Sequence, residues 1–391
     1  MRPLRLEPLR EVMEADAALQ ARLNQPDDPA LFIALVLTCA RERGIDLDAE
    51  QIATALQGGQ VPAAVSAGRG ARLPPAGWLP ARTRWHHGEL QVDWAYIGSR
   101  PLREPFFEET IARYRNKPFN RLFRYSTPIG ALADAQRERP HLSPTGFIFH
   151  MSRCGSTLVS QMLAASPRHI VVSEADPIDA VVQARRTRPD LTEDEHIAAL
   201  RWMVGAFGQI RSGEERHFFI KLDSWHAFAL PLFRQAFPAT PWMFLYREPA
   251  EILVSQLRKR GMHMTPGLLG DSFGSESSRI APTPEIYCAQ ILSRIGESVL
   301  RHYAPGSGLL VNYRELPGAV STDVLSHFGV CCSADERAAM AEVARFDAKR
   351  PDMPFTNDAL AKRRATTPAI LSAVKPLSGL HAKLEALRRG G

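Results

Sequence analysis

Five short apolar runs constrain this chain more than any other feature. Phe147–Met151, His169–Ser173, His217–Leu222, Trp242–Arg247 and Leu309–Tyr313 are rich in β-branched and aromatic residues. They are continuous instead of alternating, as strands buried on both faces are. Helical periodicity fills the intervals, over Thr157–Ala165, Glu193–Gln209, Ala227–Phe237, Pro249–Arg260 and Glu285–Tyr303. Strand and helix in alternation predict an α/β fold, a parallel sheet of about five strands flanked by helices. Ligands of such sheets bind at the carboxyl ends of the strands, so the chemistry is expected there.

The remaining sequence divides around this rhythm. Breakers run from Gly58-Gly59 to Pro80, and a second turn-rich stretch spans Arg139–Gly146. These boundaries predict a small helical domain over 1–59, a linker over 60–81, an aromatic-rich segment over 82–144 that packs on the catalytic domain, and that domain over 145–391. In the first piece, Asp27 or Asp28 before Pro29 suits a helix N-cap and Gly44 a helix end.

Composition narrows the function classes. Lys plus Arg number 48 and Asp plus Glu 42, a net charge of +6. This mild excess suits an anionic ligand but not a nucleic-acid partner, which calls for a concentrated basic face. The five cysteines are Cys39, Cys154, Cys288, Cys331 and Cys332, with no CxxC pair. Reduced thiols in the cytoplasm and no metal site are the expectation. The longest apolar stretch, Ala30–Ala40, is too short to span a bilayer, so no membrane partner is expected.

The first strand runs into Ser152-Arg153-Cys154-Gly155-Ser156-Thr157-Leu158. A strand that turns through small residues into a helix offers backbone N–H groups and the helix N-terminus to an anion. Ser156 and Thr157 add hydroxyls and Arg153 a charge. The loop is not a Walker A motif: His150 takes the position of its first glycine and Ser156 that of its lysine. The second signal is Phe244–Ser255, in which Arg247 ends the fourth strand and Ser255 lies about two turns into the next helix. Arg247 and Ser255 can converge on one phosphate; alternatively, Arg247 forms a structural salt bridge with Glu174 or Asp223.

With Leu310-Val311-Asn312-Tyr313-Arg314-Glu315-Leu316 and Phe328-Gly329-Val330, these motifs resemble, over about 145–335, the sulfotransferases that use 3′-phosphoadenosine 5′-phosphosulfate. The resemblance implies a P-loop-type fold and transfer of a sulfuryl group to a hydroxyl or amine of a small metabolite or peptide. It places the 5′-phosphosulfate on Ser152–Leu158 and the 3′-phosphate on Arg247 and Ser255. Arg153 in the loop is similar to the tyrosylprotein branch and its bacterial relatives. The late Arg-Lys-Gly motif of the cytosolic branch is not visible; Lys349, Arg350, Lys362, Arg363 and Arg364 are candidates for its role. A P-loop phosphotransferase and a non-catalytic nucleotide-binding or interaction module are the alternatives.

Sulfuryl transfer needs in-line positioning, neutralisation of the leaving oxygen and a base for the acceptor proton. Lys221 and Arg153 are assigned the charge. Glu174, after the second strand, is the favoured base; Asp223, after the third, is its rival. A Gly, Ser and Met-rich stretch, Met262–Arg279, is expected to shape the acceptor pocket. Finally, Glu14–Leu23 with Ala40–Asp48, ending near Gly58-Gly59, resembles nitrogen-fixation-type leader peptides over about 1–59. That resemblance implies a contact for a protein partner.

Overall fold

The structure is a computed structural model that describes residues 6–58, 64–65, 73–266, 283–356 and 358–390. Gly59, most of the expected linker and the 267–279 part of the expected pocket loop lie outside the described residues. Packing divides the chain into two units. One contains Met1–Ser143 and Ala175–Glu215; the other contains Pro144–Glu174 and Arg216–Gly391. The stretch read as 145–391 is therefore interrupted by an insertion that belongs to the first unit.

The first unit opens with helices Glu7–Ala15, Ala17–Leu23, Pro29–Arg41 and Ala49–Gly58. Asp28 Oδ1 accepts the Leu31 N–H at 2.9 Å with Pro29 in the first turn, and Gly44 adopts φ 69° beyond the third helix. A small sheet follows, with β1 (Ala64–Val65), β2 (Trp78–His86), β3 (Glu89–Tyr96) and β4 (Tyr125–Pro128) in the order β1-β4-β3-β2. The β2–β3 hairpin turns on His87 and Gly88, both at positive φ, which matches the twist of the strands. Trp78 packs against Tyr96, Phe119 and Tyr125, with ring centroids 5.6, 5.7 and 4.7 Å away. Its indole N–H donates to Gln20, which ties the opening helices to the sheet. The helix Glu193–Phe207, started by a capping box between Thr192 and Glu195, completes this unit.

The second unit is built on β5 (Gly146–His150), β6 (His169–Ser173), β7 (His217–Lys221), β8 (Trp242–Tyr246) and β9 (Leu309–Asn312). All pairings are parallel and the order is β6-β7-β5-β8-β9. The expected α/β fold with a five-stranded parallel sheet is thus present. β5, β6 and β8 are buried along their whole length, as their unbroken apolar pattern requires. One face packs Ile148, Val159, Phe219, Leu245, Val311 and Phe328 together. On the other, Phe233 meets Phe147 and Phe149 edge-on. The expected helix Ala227–Phe237 becomes α-helical only at Leu230, after a 3₁₀ turn over Ser224–Ala229. Pro231 explains the correction: its ring excludes an N–H and a preceding α-turn. A hairpin of β10 (Phe346–Asp347) and β11 (Arg350–Pro354) follows the helix Ala334–Val343. Among the described residues, no helix is long and apolar enough to cross a membrane.

Candidate active site

β5, β6, β7 and β8 are parallel neighbours, so their carboxyl ends share one edge of the sheet. Backbone strain concentrates there. Among the described residues, four non-glycine positions have positive φ: one is His87 in its hairpin turn, and the others are Ser152, Arg153 and Glu174, at 69°, 50° and 53°. Each costs about 1–2 kcal/mol, and such residues cluster where function requires them. Ser152 is held by its N–H on His150 Nδ1 at 3.0 Å and by Gln256 Nε2 on its hydroxyl at 2.8 Å. The Arg153 guanidinium donates to the Lys259 carbonyl.

Gly155 completes the loop at φ 86°. A Cβ there would lie 2.6 Å from Leu316 Cδ1 and 2.9 Å from Tyr313 Cδ2, so only glycine fits. The third sequence motif, through Tyr313 and Leu316, therefore presses directly on the loop. This turn, left-handed at Ser152, Arg153 and Gly155, makes a concave nest of N–H groups, and the helix Ser156–Ala164 that leaves it has no side-chain cap. Ser156 and Thr157 are buried in its first turn. Cys154 and Leu158 have turned inward: Cys154 Sγ donates to the Leu245 carbonyl, and Leu158 belongs to the apolar core. Burial pushes the Cys154 thiol up to about 12, so it is no nucleophile, and only its backbone is available to an anion.

Glu174 follows β6, and its N–H pairs with the Lys221 carbonyl at 2.8 Å. Its Oε1 lies 2.7 Å from Lys221 Nζ and 3.4 Å from His150 Nε2. Because His150 Nδ1 accepts from Ser152, the neutral ring carries its proton on Nε2, where it makes no good hydrogen bond. Burial holds His150 in that neutral form. Burial alone would raise the Glu174 pKa, but the Lys221 ammonium and the His150 N–H outweigh it and hold the carboxyl well below the usual range. Arg153 lies in the field of Glu174 as well. Asp223, the rival base, caps the turn Ser224–Ala229, and its N–H is bonded to His226 Nδ1 at 3.3 Å.

Two contributors were not legible in sequence. His263, in the turn Met262–Met264, is buried with Nε2 3.1 Å from Ser224 Oγ, and burial holds its pKa down to about 4. Gln256 bridges the loop to this turn by accepting from the Gly261 N–H at 2.9 Å. Lys349, named above among the basic residues, sits in the β10–β11 turn. Partial enclosure of its ammonium and the nearby charges of Arg153 and Lys221 push its pKa down to about 8.

A second cluster surrounds Arg247 just beyond β8, beside the β5 loop. Arg247 is buried and does form a salt bridge, but with neither Glu174 nor Asp223. Its Nη2 lies 2.6 Å from Glu251 and 3.3 Å from Asp358, and its guanidinium stacks 3.8 Å from the Tyr313 ring centroid. Glu251 also meets Arg363 at 3.3 Å, and Asp358 meets Lys362 at 2.8 Å. Three cations thus face two carboxylates. Ser255 is four residues after Glu251 on the helix Pro249–Arg258, hence on the same face. Arg350 pairs locally with Asp347, and Arg364 is exposed.

No protein-family profile matches the chain, and no curated protein does. Among solved structures it is similar to the sulfotransferase domain of the Synechococcus PCC 7002 olefin synthase, at 17% identity and a TM-score of 0.37 over 62% of this chain and 96% of that one. It is also similar to the sulfotransferase domain from the curacin biosynthetic pathway, at 13% and 0.38 over 61% and 99%. A third is sulfotransferase STF1 from Mycobacterium tuberculosis H37Rv, at 14% and 0.35 over 64% and 80%. Likeness this distant does not carry the neighbours' chemistry across.

Proposed function

We propose that this chain is a sulfotransferase that uses 3′-phosphoadenosine 5′-phosphosulfate, requires no metal for the transfer, and modifies a hydroxyl or amine of a small metabolite or peptide. The observation that supports this reading is the Ser152-Arg153-Cys154-Gly155 nest, left-handed at Ser152, Arg153 and Gly155, leading into an uncapped helix and set beside the Lys221–Glu174 pair. The nest and the helix N-terminus offer fixed donors to one anionic group, and Arg247 with Ser255, Lys362 and Arg363 offers a second. Ser156 stands where a phosphotransferase of the P-loop type carries its lysine.

The donor supplies an SO₃ group on a phosphate that leaves as a stable anion. Arg153 and Lys221 neutralise charge at the leaving oxygen, and the His150 Nε2–H is a further donor in reach of Glu174. Glu174 receives the acceptor's proton as the acceptor–sulfur bond forms and the sulfur–phosphate-oxygen bond breaks. A carboxylate held by a lysine is a weak base. Glu174 gains basicity only when Lys221 turns from it toward the transferring group, which couples proton removal to donor binding. The five cysteines are unpaired, which supports a reducing, cytoplasmic compartment. The segment 1–59 is the proposed contact for a protein partner.

Calorimetric titration with adenosine 3′,5′-bisphosphate in the absence of magnesium tests the reading, followed by transfer of labelled sulfate to candidate acceptors. Magnesium-dependent ATP binding with no bisphosphate binding would overturn it. Bisphosphate binding with no transfer to any acceptor would favour a binding module.

A further inference from the structure

We propose a metal site independent of the transfer site, in which His169, Cys332 and Glu336 hold a divalent transition-metal ion, Zn²⁺ by its ligand set, that staples the amino end of β6 to the helix Ala334–Val343. A ligand atom from each of the three lies within 4.8 Å of the other two. Nitrogen, sulfur and oxygen donors together suit borderline-soft zinc, whose bonds of about 2.0–2.3 Å need only a small closure of this triangle.

The side chains are prepared as ligands are. His169 Nδ1–H donates to the Leu163 carbonyl at 2.8 Å, which leaves the Nε2 lone pair for another partner. A carbonyl on the far nitrogen is the support that metal-bound histidines have. Burial holds the ring neutral, with a pKa of about 4. Cys332 is 8% exposed and its Sγ makes no hydrogen bond among the described residues. The Glu336 carboxylate is oriented by the Ser166 hydroxyl at 2.6 Å and the Ser333 N–H at 2.8 Å. Thiolate and carboxylate together balance a divalent ion. Two cations lie nearby: Arg168, 3.5 Å from Glu336 but 40% exposed, can swing to solvent, and Arg337 is engaged with the Cys332 carbonyl at 2.6 Å. His217 pairs with His169 in register, their ring centroids 5.3 Å apart.

The position sets the role. His169 begins β6 whereas Glu174 follows its end, five residues or roughly 16 Å away along the strand. The ion would touch neither donor nor acceptor. It would instead fix the helix that precedes the Lys349 hairpin.

Cobalt is the probe. Chelator-treated protein titrated with Co²⁺ should develop a thiolate-to-cobalt charge-transfer band at one equivalent, bleached by Zn²⁺, and Zn²⁺ should raise the thermal midpoint. Cys331→Ala should keep both effects; Cys332→Ala and His169→Gln should lose both. A wild-type protein without the band, or a band that survives Cys332→Ala, overturns the proposal. If Cys332→Ala does not fold, the spectra of wild type and Cys331→Ala decide: a band absent from wild type, or lost in Cys331→Ala, overturns it.

Discussion

Lys221 Nζ lies 2.7 Å from Glu174 Oε1, with the lysine side chain wholly buried and that of the glutamate 24% exposed. The pair joins the ends of two adjacent strands, and each partner determines what the other can do. The lysine keeps the glutamate ionised, and the glutamate holds in place a cation that has no access to water.

Glu174→Gln removes the base and keeps the shape. Turnover should fall on the order of 10²–10⁴-fold with bisphosphate affinity near wild type, while Asp223→Asn keeps most activity. Stopped assays and calorimetry on both variants measure this, and the reverse pattern would make Asp223 the base. The Gln variant should also melt lower, because Lys221 loses its counter-charge, and Lys221→Met should restore part of that loss without restoring turnover.

Arg247 is held by Glu251 and Asp358. Arg247→Ala should weaken bisphosphate binding about ten- to hundredfold, the equivalent of roughly 1.5–3 kcal/mol for a charge-assisted contact. Ser255→Ala should cost less. Asp358→Asn should tighten binding, since an anion then competes with one carboxylate fewer. Unchanged affinity in Arg247→Ala would move the second anion site elsewhere.

Gly155→Ala should damage both fold and site. The left-handed φ costs about 1–2 kcal/mol, and contact with Leu316 and Tyr313 adds overpacking of about 1–3 kcal/mol. Urea unfolding should show the loss. Leu316→Ala in the same background should recover some of the overpacking, the Tyr313 contact remaining, but none of the backbone part.

Lys349 titrates near pH 8, below an ordinary lysine. It is charged below that pH and neutral above it, so bisphosphate affinity should decline as pH rises through about 8. Lys349→Gln should be weak at all pH values and lack this step. In the unliganded protein the sign is opposite: between about 8 and 10.5 the unfolded chain binds the extra proton, so stability gains with pH there. Affinity that stays flat from pH 7 to 9 would separate Lys349 from the anion.

His263 is buried, with a pKa near 4. Between about 6.5 and 4 the unfolded chain binds protons that the folded one refuses, so stability should fall as pH drops through that window. The size is on the order of 3 kcal/mol for this histidine. Urea midpoints from pH 7 to 4 should show the decline, and His263→Gln should shrink it.

The five strands were legible because a parallel sheet covered on both faces needs unbroken apolar runs, and Phe147–Met151 and Trp242–Arg247 are too short for anything but buried elements. The loop was legible because small residues between such a strand and a helix leave few conformations, and Gly155 marks the tightest point. Pro29, with Asp27 or Asp28 before it, and Gly44 announced their helix ends for the same local reason, and the structure takes Asp28 as the cap. What lay beyond the sequence depends on contacts between distant segments. The partner of Arg247 was sought at Glu174 or Asp223, at the ends of other strands, but Glu251 waits one helical turn away and Asp358 arrives from the far end of the chain. His263 gave no signal, because a lone histidine in a polar stretch acquires meaning only when Ser224 and Gln256 bring its turn to the loop. The insertion Ala175–Glu215 looked continuous with the sheet, since helical periodicity says that a face is buried but not against what. Sequence determined the periods and the turns, which are local. Tertiary structure decided which charges meet, because an ion pair forms wherever folding leaves two opposite groups without water.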